Sequence, residues 1–459
     1  MKIGNLKKFI FIAFFAAIFF IACEEEEDSG GDGYAIVSVS AYGSSDTNIP
    51  TEKLIITVSD DTFVLTAEDI KINAAFSIIK GDLLPIGTTT YELLITPGDK
   101  GKIKVGLDPY RGFTGWNAKT VDVYALWRFS GTTKLTITGY SLPVDSLEIP
   151  EEIVSGTLVT TIGYNAFSYR GIINIKIPNC VESIGDSAFS NNQLSELVIP
   201  ESVTIIGINS FAYNQLTDIS IPDSVTAIGS GAFGYNQLSG VDIPKNVTII
   251  KNSTFAYNQI IKVDIPDKIE SIGEDAFASN KITCVTIPES VVSIGNGAFG
   301  NNNLKNINIT DKVSFLSGFN NNELTEVEIP QKVVTIGSGA FSNNQLTEID
   351  IPDSVTTIES SAFSYNRLTE VKISAKVTEI KYKAFANNKL SEIIIPDSVE
   401  NIGTQAFIDN QLTKITIGEN VMISSSAFGN GFENAYYISG RKKGTYTRTD
   451  TESKTWTKE

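Results

Sequence analysis

The fold is decided by the 22-residue stretch FSNNQLTEIDIPDSVTTIESSA, which runs from Phe341 to Ala362. Its segment L-T-E-I-D-I alternates apolar and polar residues, which is the pattern of a short strand with one buried face. The proline that follows ends the strand because it has no N–H to donate, and the next pair, D-S, favours a tight turn. The segment V-T-T-I then predicts a second short strand or a 3₁₀ turn.

The same pattern recurs along the chain at a fixed period. Phenylalanine returns every 22 residues, except for a two-residue loss before Phe319 and a one-residue loss before Phe428. Thirteen units at a fixed period indicate a solenoid, in which each coil exposes an apolar face that only the next coil can cover. The phenylalanines, which we interpret as core, are Phe167, Phe189, Phe211, Phe233, Phe255, Phe277, Phe299, Phe319, Phe341, Phe363, Phe385, Phe407 and Phe428.

Asparagine stands three residues after the phenylalanine in eleven of these units. A catalytic residue is needed once, whereas a side chain found in nearly every coil serves each coil. We therefore interpret the asparagines as structural, because asparagine tolerates a left-handed turn and its amide can bond backbone groups that no strand satisfies. They are Asn192, Asn214, Asn236, Asn258, Asn280, Asn302, Asn322, Asn344, Asn366, Asn388 and Asn410.

Tandem copies of I-P-D-S-V-T-T-I, A-F and N-x-L resemble the bacterial leucine-rich repeats of the BspA-like type, whose usual unit is one residue longer. The resemblance covers residues 126–430, and L-T-I-T-G-Y from Leu135 to Tyr140 resembles the irregular first coil of that family. The end of the chain, from Gly444 to Glu459, resembles its closing segment, which implies a C-terminal capping segment at 431–459. The resemblance implies a right-handed leucine-rich-repeat solenoid of short strands plus 3₁₀ turns, with a surface-associated binding role and no enzymatic activity.

The chain opens with a segment typical of export. Three lysines precede an apolar run of 14 residues from Phe9 to Ala22, which is short for a membrane span of about 20 residues. The ending I-A-C resembles a bacterial lipoprotein signal, although Phe20 stands where leucine is usual. The resemblance implies a signal peptide at 1–22 and a lipid anchor on Cys23, and an ordinary signal peptide or an uncleaved anchor is the alternative.

Two regions separate this segment from the repeats. Residues 23–33, which include E-E-E-E-D-S-G-G-D-G, predict a flexible acidic tether. The acidic run also resembles surface-export signals of some bacterial lipoproteins, and a plain spacer is the alternative. Residues 34–125 contain short alternating segments such as K-L-I-I-T-V-S, which predict an all-β sandwich. This region is similar to bacterial immunoglobulin-like modules, so the predicted fold class is mainly β, an immunoglobulin-like β-sandwich followed by the solenoid.

Composition excludes several function classes. The formal net charge of −17 argues against binding to nucleic acid, whose phosphates need Lys and Arg. The chain has no histidine, which removes Ser-His-Asp and Cys-His catalysis and every metal site that needs imidazole. Carboxylate pairs and oxygen-ligand calcium sites stay possible by composition. We nevertheless predict no catalytic residue, no metal site and no cofactor.

Outward positions of the first strand carry the candidate binding face. If residues eight and ten after each phenylalanine point inward, then residues seven and nine after it point outward. Acids occupy ten of these outward positions and lysines occupy four, and no aromatic residue stands there to stack on a sugar. Five acids fall on three consecutive coils, where they either bind a basic partner or divalent cations or form a merely solvated face. They are Glu326, Glu328, Glu348, Asp350 and Glu370.

Tyrosine forms a second candidate surface. Tyr213, Tyr235 and Tyr257 each fall two residues after the phenylalanine on successive coils. They predict an exposed aromatic ladder, which is a contact surface or, alternatively, a row of rings that only stack on one another.

These features together predict a lipid-anchored protein of the bacterial outer membrane or cell surface. The predicted function is binding of a protein ligand, in particular adhesion to host or neighbouring-cell proteins, among them basic ones. The rival hypothesis is a structural or scaffolding protein of the cell envelope that has no external ligand. An accessory glycan-binding lipoprotein would need aromatic platforms, which the outward columns lack.

Overall fold

The computed structural model describes residues 36–42, 53–58, 70–73, 78–85, 90–97, 101–107, 119–123, 127–130, 134–140, 145–154 and 157–459, with side chains from residue 129 onward except at 153 and 154. The predicted signal peptide, Cys23 and the acidic tether lie outside the described residues. The chain divides into two units, Met1–Leu126 and Trp127–Glu459.

The first unit contains seven described strands in two antiparallel sheets. One sheet holds four strands in the order Ile36–Tyr42, Lys53–Val58, Thr90–Pro97 and Ile78–Pro85. The other holds the three strands Ile70–Asn73, Gly101–Leu107 and Lys119–Val123. The immunoglobulin-like assignment rests on connections outside the described residues and stays a prediction.

The second unit is a β-solenoid whose coils each pass through two short strand positions. It opens with Trp127–Ser130, which pairs antiparallel with Leu135–Tyr140, and with Glu152–Val154, which pairs antiparallel with Thr157–Ile162. In five places the first strand of one coil pairs in parallel with the first strand of the next coil that has one. The pairs are Ser146–Glu148 with Asn174–Lys176, Gly240–Asp242 with Lys262–Asp264, Cys284–Thr286 with Asn306–Asn308, Glu348–Asp350 with Glu370–Lys372, and Glu392–Ile394 with Lys414–Ile417.

The second strand of each coil has two residues and forms longer parallel ladders. One ladder continues from Thr157–Ile162, and two more follow after interruptions. The successive second strands are Ser183–Ile184, Ile205–Ile206 and Ala227–Ile228, then Ile249–Ile250, Ser271–Ile272 and Ser293–Ile294, then Phe315–Leu316, Thr335–Ile336, Thr357–Ile358, Glu379–Ile380, Asn401–Ile402 and Met422–Ile423.

Turns connect these strands as the local sequence requires. The turn after the first strand closes with a bond from the N–H of Val355 to the carbonyl oxygen of Pro352, 3.0 Å long. The segment V-T-T-I forms the predicted second short strand, Thr357–Ile358. At the corner that follows, the N–H of Ala362 donates to the carbonyl oxygen of Glu359 at 3.2 Å and the N–H of Ser364 donates to that of Ser361 at 3.1 Å, which are i→i+3 bonds of the 3₁₀ type. The left-handed Ser361, with φ of 57°, separates these turns, and the described residues contain no continuous 3₁₀ helix.

The phenylalanine column forms the centre of the solenoid, as predicted. All thirteen rings are buried. Neighbouring rings lie parallel within 15°, with centroids 5.1 to 5.9 Å apart. Since truncating a buried phenylalanine typically costs about 3–5 kcal/mol, each ring is a major contributor to the stability of its coil.

The asparagine column ties each coil to the one before it. The side-chain amide of Asn344 donates to the carbonyl oxygens of Phe319, at 2.9 Å, and of Phe341, at 3.2 Å, and its Oδ1 accepts the N–H of Leu324 at 3.0 Å. The same contacts recur at all eleven asparagines of the column. The left-handed residue is the one before, Asn343 with φ of 55°, so the expectation that the column itself takes the left-handed turn is wrong.

The coil from Phe299 to Gly318 is two residues short at its corner. Stacking continues there, since the N–H of Phe299 donates to the carbonyl oxygen of Gly318 at 2.8 Å. The second-strand ladder is interrupted, and Ser293–Ile294 does not pair with Phe315–Leu316. The deletion thus removes the outer corner of one coil while it leaves the buried columns in register.

The C-terminal segment covers the last coil. The described residues contain one helix, Phe432–Ile438, whose first residue packs edge-on against Phe428 with centroids 4.8 Å apart. Strand Gly444–Thr447 pairs antiparallel with Lys414–Ile417 on one side and with Thr457–Lys458 on the other. No helix among the described residues is both long and apolar enough to span a membrane.

Candidate functional site

The first strand of a coil presents two side chains outward and one inward. In Glu348–Asp350 both acids are exposed and Ile349 between them is buried. This is the arrangement that strand alternation predicts. The face made by such outward residues on successive coils is called the first-strand face below.

The structure brings the five predicted acids together on three consecutive coils. Glu348 lies directly opposite Glu370, and Asp350 lies directly opposite Lys372, in a parallel pair. Glu326 and Glu328 occupy the preceding coil outside any assigned strand, and they are exposed as well. Because adjacent strands lie about 4.8 Å apart, these carboxylates form one continuous outer surface.

Lysines of the first-strand face are all paired with acids, which the sequence pattern did not predict. Lys372 Nζ lies 3.1 Å from Asp350 Oδ2, so Asp350 is partly neutralised. Exposed pairs of this kind contribute about 0–1 kcal/mol each. The only sequence signal for them is that a lysine and an acid stand at outward positions of the same or the neighbouring coil. The other three pairs are Lys176 with Glu148, Lys262 with Asp264, and Lys414 with Glu392.

Four acids of the candidate site are left without an ion pair among the described residues, namely Glu326, Glu328, Glu348 and Glu370. Like charges directly opposite one another on a sheet are destabilising. The patch is therefore a concentrated negative surface in which, among the described residues, only Asp350 has an ion-pair partner. No group of three or more potential metal-ligating side chains within the described residues is placed to hold an ion.

The tyrosine ladder forms as predicted. The rings of Tyr213 and Tyr235, and of Tyr235 and Tyr257, stack with centroids 4.3 Å apart. Each ring is between 41% and 48% exposed. Burial between its neighbours, followed by repulsion from their phenolates, raises the pKa of Tyr235 to about 12. Tyr235 is thus neutral at physiological pH.

All three ladder tyrosines have left-handed backbone, with φ of 56° or 57°. That conformation costs about 1–2 kcal/mol for a residue with a Cβ, and asparagine fills the same column at Asn191 and Asn343. Ring stacking of about 0.5–1.5 kcal/mol offsets part of the strain. The ladder lies on coils that precede the acidic patch, and the structure does not join the two surfaces into one site.

The geometry defines a class of repeat protein: stacked two-strand coils with a buried phenylalanine column and a buried asparagine column. The profile of the BspA type leucine rich repeat region (6 copies) matches residues 143–262, 204–318 and 315–433. The chain therefore belongs to the family of proteins with BspA type leucine-rich repeats. Solenoids of leucine-rich repeats generally serve protein–protein binding through their extended surfaces.

Several solved structures are similar to the chain. A leucine rich cell surface protein from Faecalibacterium prausnitzii A2-165 is 26% identical over 66% of this chain and 85% of its own, with a TM-score of 0.49. The pneumococcal vaccine antigen PcpA is 20% identical over 64% of this chain and 80% of its own, with a TM-score of 0.46. A leucine-rich repeat protein from Bacteroides ovatus ATCC 8483 is 20% identical over 66% and 89%, with a TM-score of 0.36. No curated protein matches the chain.

Proposed function

We propose that this chain is a surface-anchored lipoprotein that binds proteins through the first-strand face, with a basic protein of a host or neighbouring cell as ligand. One observation carries the proposal: four exposed glutamates on three consecutive coils have no ion-pair partner among the described residues. These glutamates do not stabilise the fold, because like charges on facing strands lower stability.

The chemistry of this face fits a partner rich in lysine and arginine. Carboxylates held on a regular sheet present a fixed array, so the partner's cations meet a surface that needs little rearrangement. A patch of one sign also steers an oppositely charged partner toward it and speeds association. The stacked tyrosines supply a separate aromatic surface, a type of residue that is enriched in binding hot spots.

Attachment to the membrane is proposed from the N-terminal sequence. Lipid on Cys23, the acidic tether at 23–33 and an immunoglobulin-like spacer at 34–125 would hold the solenoid away from the bilayer. This order of anchor, spacer and binding domain supports adhesion, because a spacer lets the binding domain reach a ligand outside the cell. The proposed role is non-enzymatic, in keeping with a chain that contains no histidine.

Protease digestion of intact cells tests this proposal. If the solenoid faces outward, an added protease removes it from intact cells while an internal marker protein stays whole. A solenoid that is cut only after the cells are opened would contradict the adhesin role and favour the structural or scaffolding protein of the envelope. A Cys23→Ser variant, which cannot carry the lipid, is the control for release into the medium.

A further inference from the structure

A second outer surface of the solenoid has no part in the function proposed above. Each coil presents two outward residues just before the buried isoleucine of its second strand. The outward pairs of eight consecutive coils, from Thr204–Ile205 to Thr356–Thr357, are called the neutral face below. Of these sixteen positions only Glu270 is charged, whereas nine of the sixteen first-strand positions on the same coils are charged.

Three threonine hydroxyls on the neutral face are satisfied within the chain. The hydroxyl of Thr204 donates to the carbonyl oxygen of Glu182 at 3.1 Å, and that of Thr226 donates to the carbonyl oxygen of Thr204 at 3.3 Å. Thr356 makes the same contact to Val334 at 3.4 Å. Because these hydroxyl protons are already bonded, the threonines lower the apolar character of the face less than free hydroxyls would.

The centre of the neutral face is apolar and lies at the short coil. Val292, Phe315 and Val334 stand on three consecutive coils and are 52%, 44% and 46% exposed. The Phe315 ring lies over Gly337, where a Cβ would come within 2.7 Å of a ring carbon. The absence of a side chain at Gly337 thus leaves room for the ring. Exposed apolar side chains grouped on neighbouring coils mark a candidate interaction site.

We propose that the neutral face binds the neutral face of a second copy of this chain. The chain carries a formal charge of −17, so two copies that approach by their first-strand faces set carboxylates against carboxylates. The neutral face is where two copies meet without that repulsion. Its threonine, valine, isoleucine and phenylalanine side chains bury apolar area against the same set on the partner.

The area of the face sets the strength of this contact. Eight coils about 4.8 Å apart and about 10 Å wide give about 400 Å² for each copy. The total of about 800 Å² is below the 1,200 Å² or so of stable complexes, so the self-association is weak, with a Kd on the order of 0.1–1 mM. Copies held on one membrane reach effective concentrations of that order.

Sedimentation velocity of the full chain, from about 10 μM to about 1 mM, tests the proposal. The face variant is Val292→Glu with Val334→Glu, which sets like charges against each other across the contact. The matched control is Val198→Glu with Ile394→Glu, which places the same charges on exposed residues of the first-strand face. All chains share one N-terminal segment, so any association through that segment is common to all.

The wild type and the control are expected to gain mass as concentration rises, and the face variant to associate at least about tenfold more weakly. Circular dichroism checks that each variant folds, and the milder pair Val292→Thr with Val334→Thr replaces the face variant if it does not. A wild type that stays monomeric would overturn the proposal. It would mean that another part of the chain or a different partner covers the neutral face. Equal association of the face variant and the wild type, or equal loss in the control, would overturn it too.

Discussion

Glu348 and Glu370 lie directly opposite each other on adjacent parallel strands, and both are exposed. Within the described part of the chain neither has an ion-pair partner. Two residues along the same strands, Asp350 faces Lys372 and the two are paired at 3.1 Å. The same pair of strands therefore carries one position with an ion pair and one position at which two like charges face each other.

Replacing Glu370 with Gln should raise the stability of the solenoid. The substitution removes the repulsion from Glu348 without changing the size of the side chain, and we expect a gain of about 0.2–1 kcal/mol. Urea denaturation at low salt measures it. Asp350→Asn is the control, because it removes a negative charge that is paired with Lys372. The free energy of unfolding of this variant should be equal to or lower than that of the wild type. A loss of stability in the Glu370 variant would show that the glutamate serves the fold.

Replacing Asn344 with Ala should destabilise the solenoid strongly. The substitution leaves the buried N–H of Leu324 without a partner, which costs about 1–3 kcal/mol. It also removes one of the two bonds to the carbonyl oxygen of Phe319, which keeps the bond from the amide of Asn322 at 3.2 Å. The adjacent substitution Asn343→Gly is the control, since glycine accepts the φ of 55° at that position without strain. Thermal unfolding that shifts equally in both variants would contradict the assigned role of Asn344.

Columns that serve every coil could be predicted from the sequence, and pairings between coils could not. Phe341 and Asn344 recur at a fixed spacing, so their roles as core and as backbone partner follow from the repeat. The left-handed position was misplaced by one residue, because N-N in sequence does not tell which asparagine takes the positive φ. The pairing of Lys372 with Asp350 depends on register and rotamer across two coils, which composition does not specify.

The two outer surfaces also differ in how far the sequence predicts them. The acidic positions of the first-strand face were predicted because strand alternation fixes which residues point outward. The neutral face was missed, although reading the two positions before each second-strand isoleucine would have revealed its lack of charge. The position of the Phe315 ring over Gly337 could not be predicted, since it depends on a rotamer and on a contact between two coils.

The ladder makes a prediction about alkaline pH. The pKa of Tyr235 is raised to about 12, so the folded chain keeps this phenol protonated while the unfolded chain loses the proton near its ordinary value of about 10. Stability from this residue is therefore complete below pH 10 or so and falls as the pH rises toward 12. Stability measured against pH should fall less steeply for Tyr235→Phe than for the wild type.

Tyr169→Phe is the control for the alkaline experiment, because it removes one exposed tyrosine outside the ladder. It should leave the pH dependence of the wild type in place. Phenolate absorbance provides a second readout, since Tyr235→Phe should remove a component that ionises near pH 12. An unchanged titration curve in that variant would contradict the effect of stacking on Tyr235.

Lipid attachment predicts a chemical change at one residue. Cells that produce the chain and are fed an alkyne-labelled fatty acid should incorporate the label into the wild type and not into Cys23→Ser. Cys284→Ser is the control, because it removes an exposed thiol of the solenoid and should leave labelling intact. Label in the Cys23 variant, or none in the wild type, would contradict the lipid anchor.

Binding of the full chain to poly-L-lysine, followed by surface plasmon resonance at several salt concentrations, tests the central claim most directly. Glu348→Gln with Glu370→Gln should weaken binding at least about tenfold and flatten its salt dependence, because two unpaired charges of the patch are lost. Glu196→Gln with Asp218→Asn removes two charges from the same column of adjacent coils outside the patch, and it should bind nearly as well as the wild type. Equal weakening in both variants would mean that only net charge matters, and unchanged binding in the first would contradict the assignment of the first-strand face as the binding surface.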